Sequence, residues 1–307
     1  MHTLTTLGVG ISLLLFGIFF MRLGLQNMLG NKLRLMLVEI TVTPWRGLIA
    51  GALASALMQS STAVSLITIG LVSANYMTFY QSLGIILGAN IGTCTTVQLM
   101  ALSFPDQYFI PLLITFTVIA ICIKKLRFIC LAISGFISIF LGINILSDTL
   151  SSLSEIETAI QYILSSQSNP LYGIAGGILI TMLFQSSSAA TALLMILAGD
   201  GLINLTSAAY VVYGNNIGSC ISSVIVGAAA PIAAKRVAAA HIILNIVGAA
   251  LFLPFTNFLT NLIALHVTDF ASQVALVHTL FNIISSIVVV PFAKQYAKAI
   301  IVLVPDR

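Results

Sequence analysis

The sequence predicts an all-α, polytopic membrane protein with two inverted repeats, each containing a re-entrant helical hairpin. Three observations carry that expectation. The first is composition: 59% of the 307 residues are hydrophobic and 7% are charged, with a mean hydropathy of +1.11. Soluble domains carry roughly 25% charged residues. The second is a duplication. Gln59-Ser60-Ser61 recurs as Gln185-Ser186-Ser187, and Gly88-Ala89-Asn90-Ile91-Gly92-Thr93-Cys94 recurs as Gly214-Asn215-Asn216-Ile217-Gly218-Ser219-Cys220. Upstream, Pro44, Gly47 and Gly51 fall on Pro170, Gly173 and Gly177, and the offset is 126 positions at every landmark. The third is a regular alternation of basic and acidic loops along the chain.

Taken in order, seven apolar segments approach the ~20 residues needed to cross ~30 Å of hydrocarbon. They are 4–21, 83–103, 108–123, 128–147, 207–228, 237–255 and 273–292. The first lacks the basic region and small-residue cleavage site of a secretory signal, so it reads as a retained helix. Two further apolar stretches, 47–73 and 171–198, each consist of two arms meeting at Gln-Ser-Ser. A helical arm of about a dozen residues rises ~18 Å, roughly halfway across the hydrocarbon. Residues 148–170 form the longest polar loop, with room for a short amphipathic helix. His241, Asn245 and Pro254 recur as His278, Asn282 and Pro291 at an offset of 37, the prolines reading as span terminators. Repeat 1 is then 1–125, with hairpin 47–73 and a broken helix 83–103. Repeat 2 is 126–307, with hairpin 171–198, a broken helix 207–228 and C-terminal helices 237–255 and 273–292. No soluble domain is expected after residue 292.

Charge sets the orientation. Basic residues cluster as Arg22, Lys32, Arg34 and Arg46; Lys124, Lys125 and Arg127; Lys235 and Arg236; Lys294, Lys298 and Arg307. The intervening loops hold Asp106; Asp148, Glu155 and Glu157; and Asp269. If neither hairpin crosses the bilayer, every basic cluster falls on one side, which the positive-inside rule makes cytoplasmic. The expected protein is a multi-pass resident of the cell membrane, its N-terminus outside and its C-terminus inside. The two hairpins then enter from opposite sides, the arrangement that supports alternating access. The four cysteines, Cys94, Cys122, Cys130 and Cys220, have no metal-like spacing and no disulfide framework, and read as small membrane-buried residues. The lipid bilayer is the expected partner, and a net charge of +4 gives no ground for nucleic acid.

The polar motifs carry the chemistry. A break at Gln59-Ser60-Ser61-Thr62 or Gln185-Ser186-Ser187-Ser188 frees backbone N–H groups at the start of a second arm. Such N-termini attract anions, and Ser and Thr hydroxyls add donors for an anion and acceptors for a cation. One isolated Gln-Ser-Ser reads as glue between helices; two in register at hairpin midpoints read as a site. Gly88 to Thr93 and Gly214 to Ser219 suit unwound helix midpoints that offer cation ligands. Asn90, Thr93, Thr95, Asn216, Ser219 and Ser222 are the candidate sodium ligands, with Thr96, Gln98 and Ser223 extending the polar face. His241 and Asn245 share one helix face and are expected to support the site, His241 as a neutral ring bonded to a neighbouring helix. No Lys or Arg is expected inside a membrane core, so an anion would be held by dipoles and hydroxyls. Asp200, at a hairpin exit, reads as a loop residue.

With these residues in view, the chain resembles the sodium-dependent phosphate cotransporter family, the type II symporters and their bacterial relatives. That family carries paired Gln-Ser-Ser motifs in inverted repeats, each followed by Gly-x-Asn-Ile-Gly-Thr/Ser. Lys235-Arg236 followed by His241-x-x-x-Asn245 resembles the segment after its second repeat. The resemblance spans about residues 10–292. It implies sodium-coupled symport of inorganic phosphate, with phosphate near Gln59 to Thr62 and Gln185 to Ser188 and sodium near the hairpins and Asn-Ile-Gly segments. No other cofactor is implied, and a homodimer is compatible with such a carrier. The first repeat departs from the pattern in reading Gln-Ser-Ser-Thr and in lacking a following His-x-x-x-Asn. The residues alone leave a transporter of another oxyanion or small carboxylate open, and also an anion channel. An intramembrane serine hydrolase fits poorly, because one active site has no use for two equivalent serine tips.

Overall fold

Breaks in the apolar runs fall where the sequence supplies caps, and the caps recur at the duplication offset. In the computed structural model, residues 2–29, 32–102, 104–150 and 169–306 are described, and every regular element among them is helical. The first half holds α1 (His2–Leu29), α2 (Lys32–Ile40), α3 (Pro44–Met58), α4 (Ser61–Ser73), α5 (Phe79–Met100) and α6 (Phe109–Cys122). The second holds α7 (Arg127–Leu150), α8 (Pro170–Phe184), α9 (Ser187–Gly199), α10 (Leu205–Ser219), α11 (Ile221–Ala228), α12 (Ile232–Phe252), α13 (Thr256–His266), α14 (Phe270–Val289) and α15 (Ala293–Leu303). Thr43 caps α3 by accepting from Arg46 N, and Asn169 caps α8 by accepting from Leu171 N, each just ahead of a proline at the first helical turn. Thr78 and Gln81 form a capping box on α5, and Asn204 caps α10 at the equivalent position.

Glycines set how these helices meet. A Cβ built on Gly88 would lie 2.0 Å from Leu48 O, and one on Gly214 would lie 2.1 Å from Ile174 O. Gly47 nests on Gly84, and Gly177 nests on Gly214. Residue numbers rise together along both pairs, so α3 runs parallel to α5 and α8 runs parallel to α10. The long helices α1 and α7 also meet through glycines, but in the opposite sense. Gly10 faces Leu146, Gly17 faces Gly135 and Gly24 faces Phe128, so these two run antiparallel. The largest buried cluster joins α1, α7, α9, α10 and α14 around Tyr213 and Phe281. A second joins α2, α3, α4, α5, α12 and α15 around Val64, Ile85 and Val237.

Several sequence expectations are corrected. Among the described residues, six runs are long and apolar enough to cross a membrane: Thr5–Leu29, Phe79–Met100, Lys124–Thr149, Leu205–Ala228, Ile232–His266 and Phe270–Leu303. The segment Asp106–Cys122 is shorter. Pro254 and Pro291 do not terminate spans. Each sits in a short 3-10 turn after which the helix resumes, since proline at the start of a new turn forfeits no required hydrogen bond. The expected unwinding at Gly88 to Gly92 does not occur. α5 is continuous through it, because both glycines are pressed onto the α3 backbone and leave no room for a loop. In the second copy the helix breaks at Cys220, just beyond the motif. Residues 151–168, most of the expected polar loop with Glu155, Glu157 and the short helix, lie outside the described residues.

Gly88→Ala and Gly214→Ala are expected to abolish a monodisperse size-exclusion peak in detergent, since the new methyl meets a backbone carbonyl that cannot move alone. Gly70→Ala and Gly176→Ala place a methyl in open space and are expected to be neutral or stabilising by up to about 1 kcal/mol. A wild-type melting curve for Gly88→Ala would contradict the close α3–α5 contact.

Candidate functional site

Each Gln-Ser pair separates two helices in the same way. Gln59 (φ 53, ψ 32) and Gln185 (φ 51, ψ 26) adopt the left-handed conformation that ends a helix. That conformation costs a residue with a Cβ about 1–2 kcal/mol. Its use at both tips, where glycine would be free of strain, means that the Gln side chains are needed there. Each one caps its own first arm: Gln59 Nε2 donates to Ala56 O, and Gln185 Nε2 donates to Met182 O at 2.7 Å. The next residue is extended and caps the second arm. Ser60 Oγ accepts from Ala63 N at 3.2 Å, and Ser186 Oγ accepts from Ala189 N at 3.3 Å. Two residues thus close one helix and open another, and the N-termini of α4 and α9 begin at Ser61 and Ser187.

The fold brings these tips together across 126 positions of sequence. Ser60 of the first tip and Gln185 and Ser186 of the second line a cavity of about 340 Å³. Thr62, Ser186 and Ser187 line a smaller one of about 80 Å³ with Ser219 and Ser222. At the second cavity Thr62 Oγ1 donates to Ser219 O at 3.5 Å, beside the α10–α11 break. Gln59 Oε1 is buried without a hydrogen-bond partner among the described residues.

Arg22 is the cavity residue that sequence reasoning missed. It was expected in a basic loop, with no Arg or Lys inside the apolar core. The structure carries α1 on to Leu29, so Arg22 lies about two turns inside the helix. Its side chain lines the larger cavity. Nε donates to Gln59 O at 2.8 Å, and Nη2 donates to Ser186 Oγ at 3.3 Å and to Ser188 Oγ at 3.4 Å. The signal was present: apolar residues continue on both sides, from Phe19-Phe20-Met21 to Leu23-Gly24-Leu25. A lone Arg within an unbroken apolar run belongs to the helix more readily than to its end.

A second set of polar residues braces the tips from behind. His241 Nδ1 lies 3.3 Å from Ser65 Oγ, and its Nε2 lies 3.1 Å from Asn90 Oδ1. Asn90 Nδ2 donates to Asn245 Oδ1 at 3.4 Å, and Asn245 Nδ2 donates to Cys220 Sγ at 3.2 Å. This buried chain links α4, α5 and α12 to the α10–α11 junction. The second hairpin has its own brace. Thr181 Oγ1 donates to Asn215 Oδ1 at 3.1 Å, and Asn215 Nδ2 donates to Thr191 Oγ1 at 3.2 Å, joining α8, α9 and α10.

The expected sodium ligands are therefore dispersed. Ser219 and Ser222 line the smaller cavity. Asn216 Nδ2 donates to Val212 O at 2.9 Å, and Ser219 Oγ donates to Asn216 O at 2.7 Å. Asn90 belongs to the histidine brace, and Thr93 Oγ1 donates to Ala89 O at 3.0 Å. Thr95 is exposed and lines neither cavity. In a continuous helix it points about 200° away from Thr93, so the absence of unwinding removes it from the set.

The chain matches the family model described as Na+/Pi-cotransporter twice, over residues 13–148 and 142–270. It is 30% identical over 241 residues to "Uncharacterized protein YqeW" of Bacillus subtilis, covering 78% of each chain. It is 30% identical over 264 residues to "Putative inorganic phosphate export protein YjbB" of Escherichia coli K12, covering 84% of this chain and 48% of that protein. The chain thus spans about half the length of that relative. A shorter match, 41% over 59 residues, is to "Sodium-dependent phosphate transport protein 2A" of Rattus norvegicus, covering 19% of this chain and 9% of that one. No solved structure matches.

Asn90→Ala and His241→Ala each orphan a buried partner and are expected to cost about 1–3 kcal/mol of stability. The double variant is expected to cost less than the sum of the two by at least about 0.5 kcal/mol, as for residues in one network. Unfolding of purified protein in detergent measures this, and strict additivity would mean that the brace does not act as a unit.

Proposed function

Because the chain belongs to the Na+/Pi-cotransporter family, we propose that this multi-pass membrane protein is a secondary active transporter that carries inorganic phosphate in symport with sodium by alternating access. One observation carries the reading: the two Gln-Ser-Ser tips, far apart in sequence, share one pair of cavities. Each tip contributes a helix N-terminus with unpaired N–H groups and a positive dipole end. Gln59, Ser60, Ser61 and Thr62 on one side and Gln185, Ser186, Ser187 and Ser188 on the other would surround an oxyanion with donors. No soluble nucleophile-and-base pair is needed for such a task, since nothing is chemically altered.

The inverted-repeat reading draws support from helix direction. α1 and α7 occupy equivalent places in the duplication and run antiparallel. Within each half, the first hairpin arm runs parallel to the Gly-rich helix. Two halves with the same internal arrangement and opposed long helices are what a two-fold axis in the membrane plane generates. Hairpins that turn back at the tips, a cell-membrane location and a cytoplasmic C-terminus complete the proposal. A homodimer is compatible with it.

Sodium is proposed at the smaller cavity, where the residues fit a hard cation. Thr62, Ser187, Ser219 and Ser222 offer neutral oxygens there, and the carbonyl of Ser219 lies at a helix break. A sodium ion beside a bound phosphate offsets part of its charge, which makes each ligand favour the other. The direction of net flux follows from the summed gradients of the two ions. One relative is named for phosphate export and another for sodium-dependent phosphate transport, and both names support phosphate as the substrate.

Labelled phosphate uptake into proteoliposomes is expected to saturate and to require an inward sodium gradient, with a matched potassium gradient giving none. Ser61→Ala and Ser187→Ala are expected to lower uptake roughly tenfold or more at unchanged expression, the scale of one lost hydrogen bond to a charged group. Equal uptake in both gradients would refute sodium coupling, and wild-type kinetics in both variants would refute the tip site.

A further inference from the structure

Arg22 reaches both Gln-Ser-Ser tips from α1. Among the described residues it is the charged side chain that contacts both hairpin tips, and it forms no ion pair there; the ion pair present joins Arg236 to Asp306. A part-buried guanidinium without a counter-charge is costly. The cost is increased by its neighbours, because the N-termini of α4 and α9 direct positive dipole ends into the same region. Three sources of positive potential thus converge on one cavity, and what they lack is an anion.

The existing contacts of Arg22 are of two kinds. The bond from Nε to Gln59 O is 2.8 Å, a normal charge-assisted length. Those from Nη2 to the Ser186 and Ser188 hydroxyls are 3.3 and 3.4 Å, long for such bonds and shared between two acceptors. Hydroxyls can reverse from acceptor to donor by rotation. An oxyanion entering the cavity would therefore find a guanidinium edge and two hydroxyls that can all turn to face it.

We propose that Arg22 is the substrate's counter-charge: its Nη edge exchanges Ser186 and Ser188 for two oxygens of a bound tetrahedral oxyanion, while Nε remains on the Gln59 carbonyl. The released hydroxyls then donate to the same oxyanion. This inference rests on the tip-site reading and deepens it. The planar fork matches two oxygens of one phosphorus centre, which a lysine ammonium cannot do. Because Nε holds the first tip and the substrate bridges to the second, occupancy of the site changes what links the two hairpins. α1 presents Arg22 from a helix locked against α7 by glycines, so the charge is held in place as the ligand arrives.

The test uses the full chain in detergent and in proteoliposomes, with inorganic phosphate as the probe. Wild-type protein is expected to gain thermal stability with phosphate in sodium. Arg22→Gln is expected to lose that gain and to raise the KM for phosphate uptake roughly ten- to hundredfold, with the sodium dependence of the remaining uptake kept. Arg22→Lys is expected to fall between the two. In a Cys122→Ser background, Arg22→Cys is expected to regain uptake after reaction with a positively charged aminoethyl thiosulfonate and not with its neutral hydroxyethyl counterpart. If Arg22 were only a strut between the tips, Arg22→Gln would lower the melting temperature without phosphate and leave the phosphate-induced gain and KM unchanged, which overturns the proposal. Loss of folded Arg22→Gln leaves Arg22→Lys and the charge rescue to decide, and equal activity with charged and neutral reagents also overturns it. Absence of any phosphate effect on folded wild-type protein would remove the tip-site reading itself, and this inference with it.

Discussion

A helix broken inside hydrocarbon exposes backbone groups that have nowhere to bond except within the protein. The Gln-Ser breaks after α3 and α8 expose such groups, and side chains at the breaks answer part of the need. The Gln side chain returns to close the arm behind it and the Ser side chain opens the arm ahead. What these caps leave unpaired is the set of N–H groups at the start of the second arm. Those groups are what the proposed anion site would use, so the defect and the proposed site are the same feature.

The second demand is rigidity at small separations. Lipid provides little hydrophobic force between helices, so helices in a membrane associate by close packing and polar contacts. The glycines on α3, α5, α8 and α10 allow backbones to approach until any side chain would collide. They fix the first arm of each hairpin to the helix that follows it, which in turn fixes where the tip ends. The same tight contact explains why the Gly-x-Asn-Ile-Gly segments remain helical where a loop might be expected from their composition.

The two halves repeat a backbone plan more faithfully than a polar one. In the first half, Asn90 is held by His241 and Asn245 from α12. In the second half, the position equivalent to Ala89 is Asn215, which joins Thr181 to Thr191 within its own hairpin unit. Asn90 thus ties into α12, in the other half of the chain, whereas Asn215 ties α8 and α9 to α10 within its own half.

The sequence by itself determined the helical membrane class, the duplication and the two tip motifs, because these depend on local composition and short-range patterning. It also marked Ser219 and Ser222, which line the smaller cavity. It placed Arg22, Thr95, Pro254 and Pro291 wrongly for one shared reason. A charge at a segment end, a hydroxyl after a glycine motif and a proline near a boundary each have a default local reading, and tertiary packing overrode it. Only the assembled structure could bring residue 22 beside residues 59, 186 and 188, since contacts across such separations are set by helix packing and leave no periodic trace in the chain.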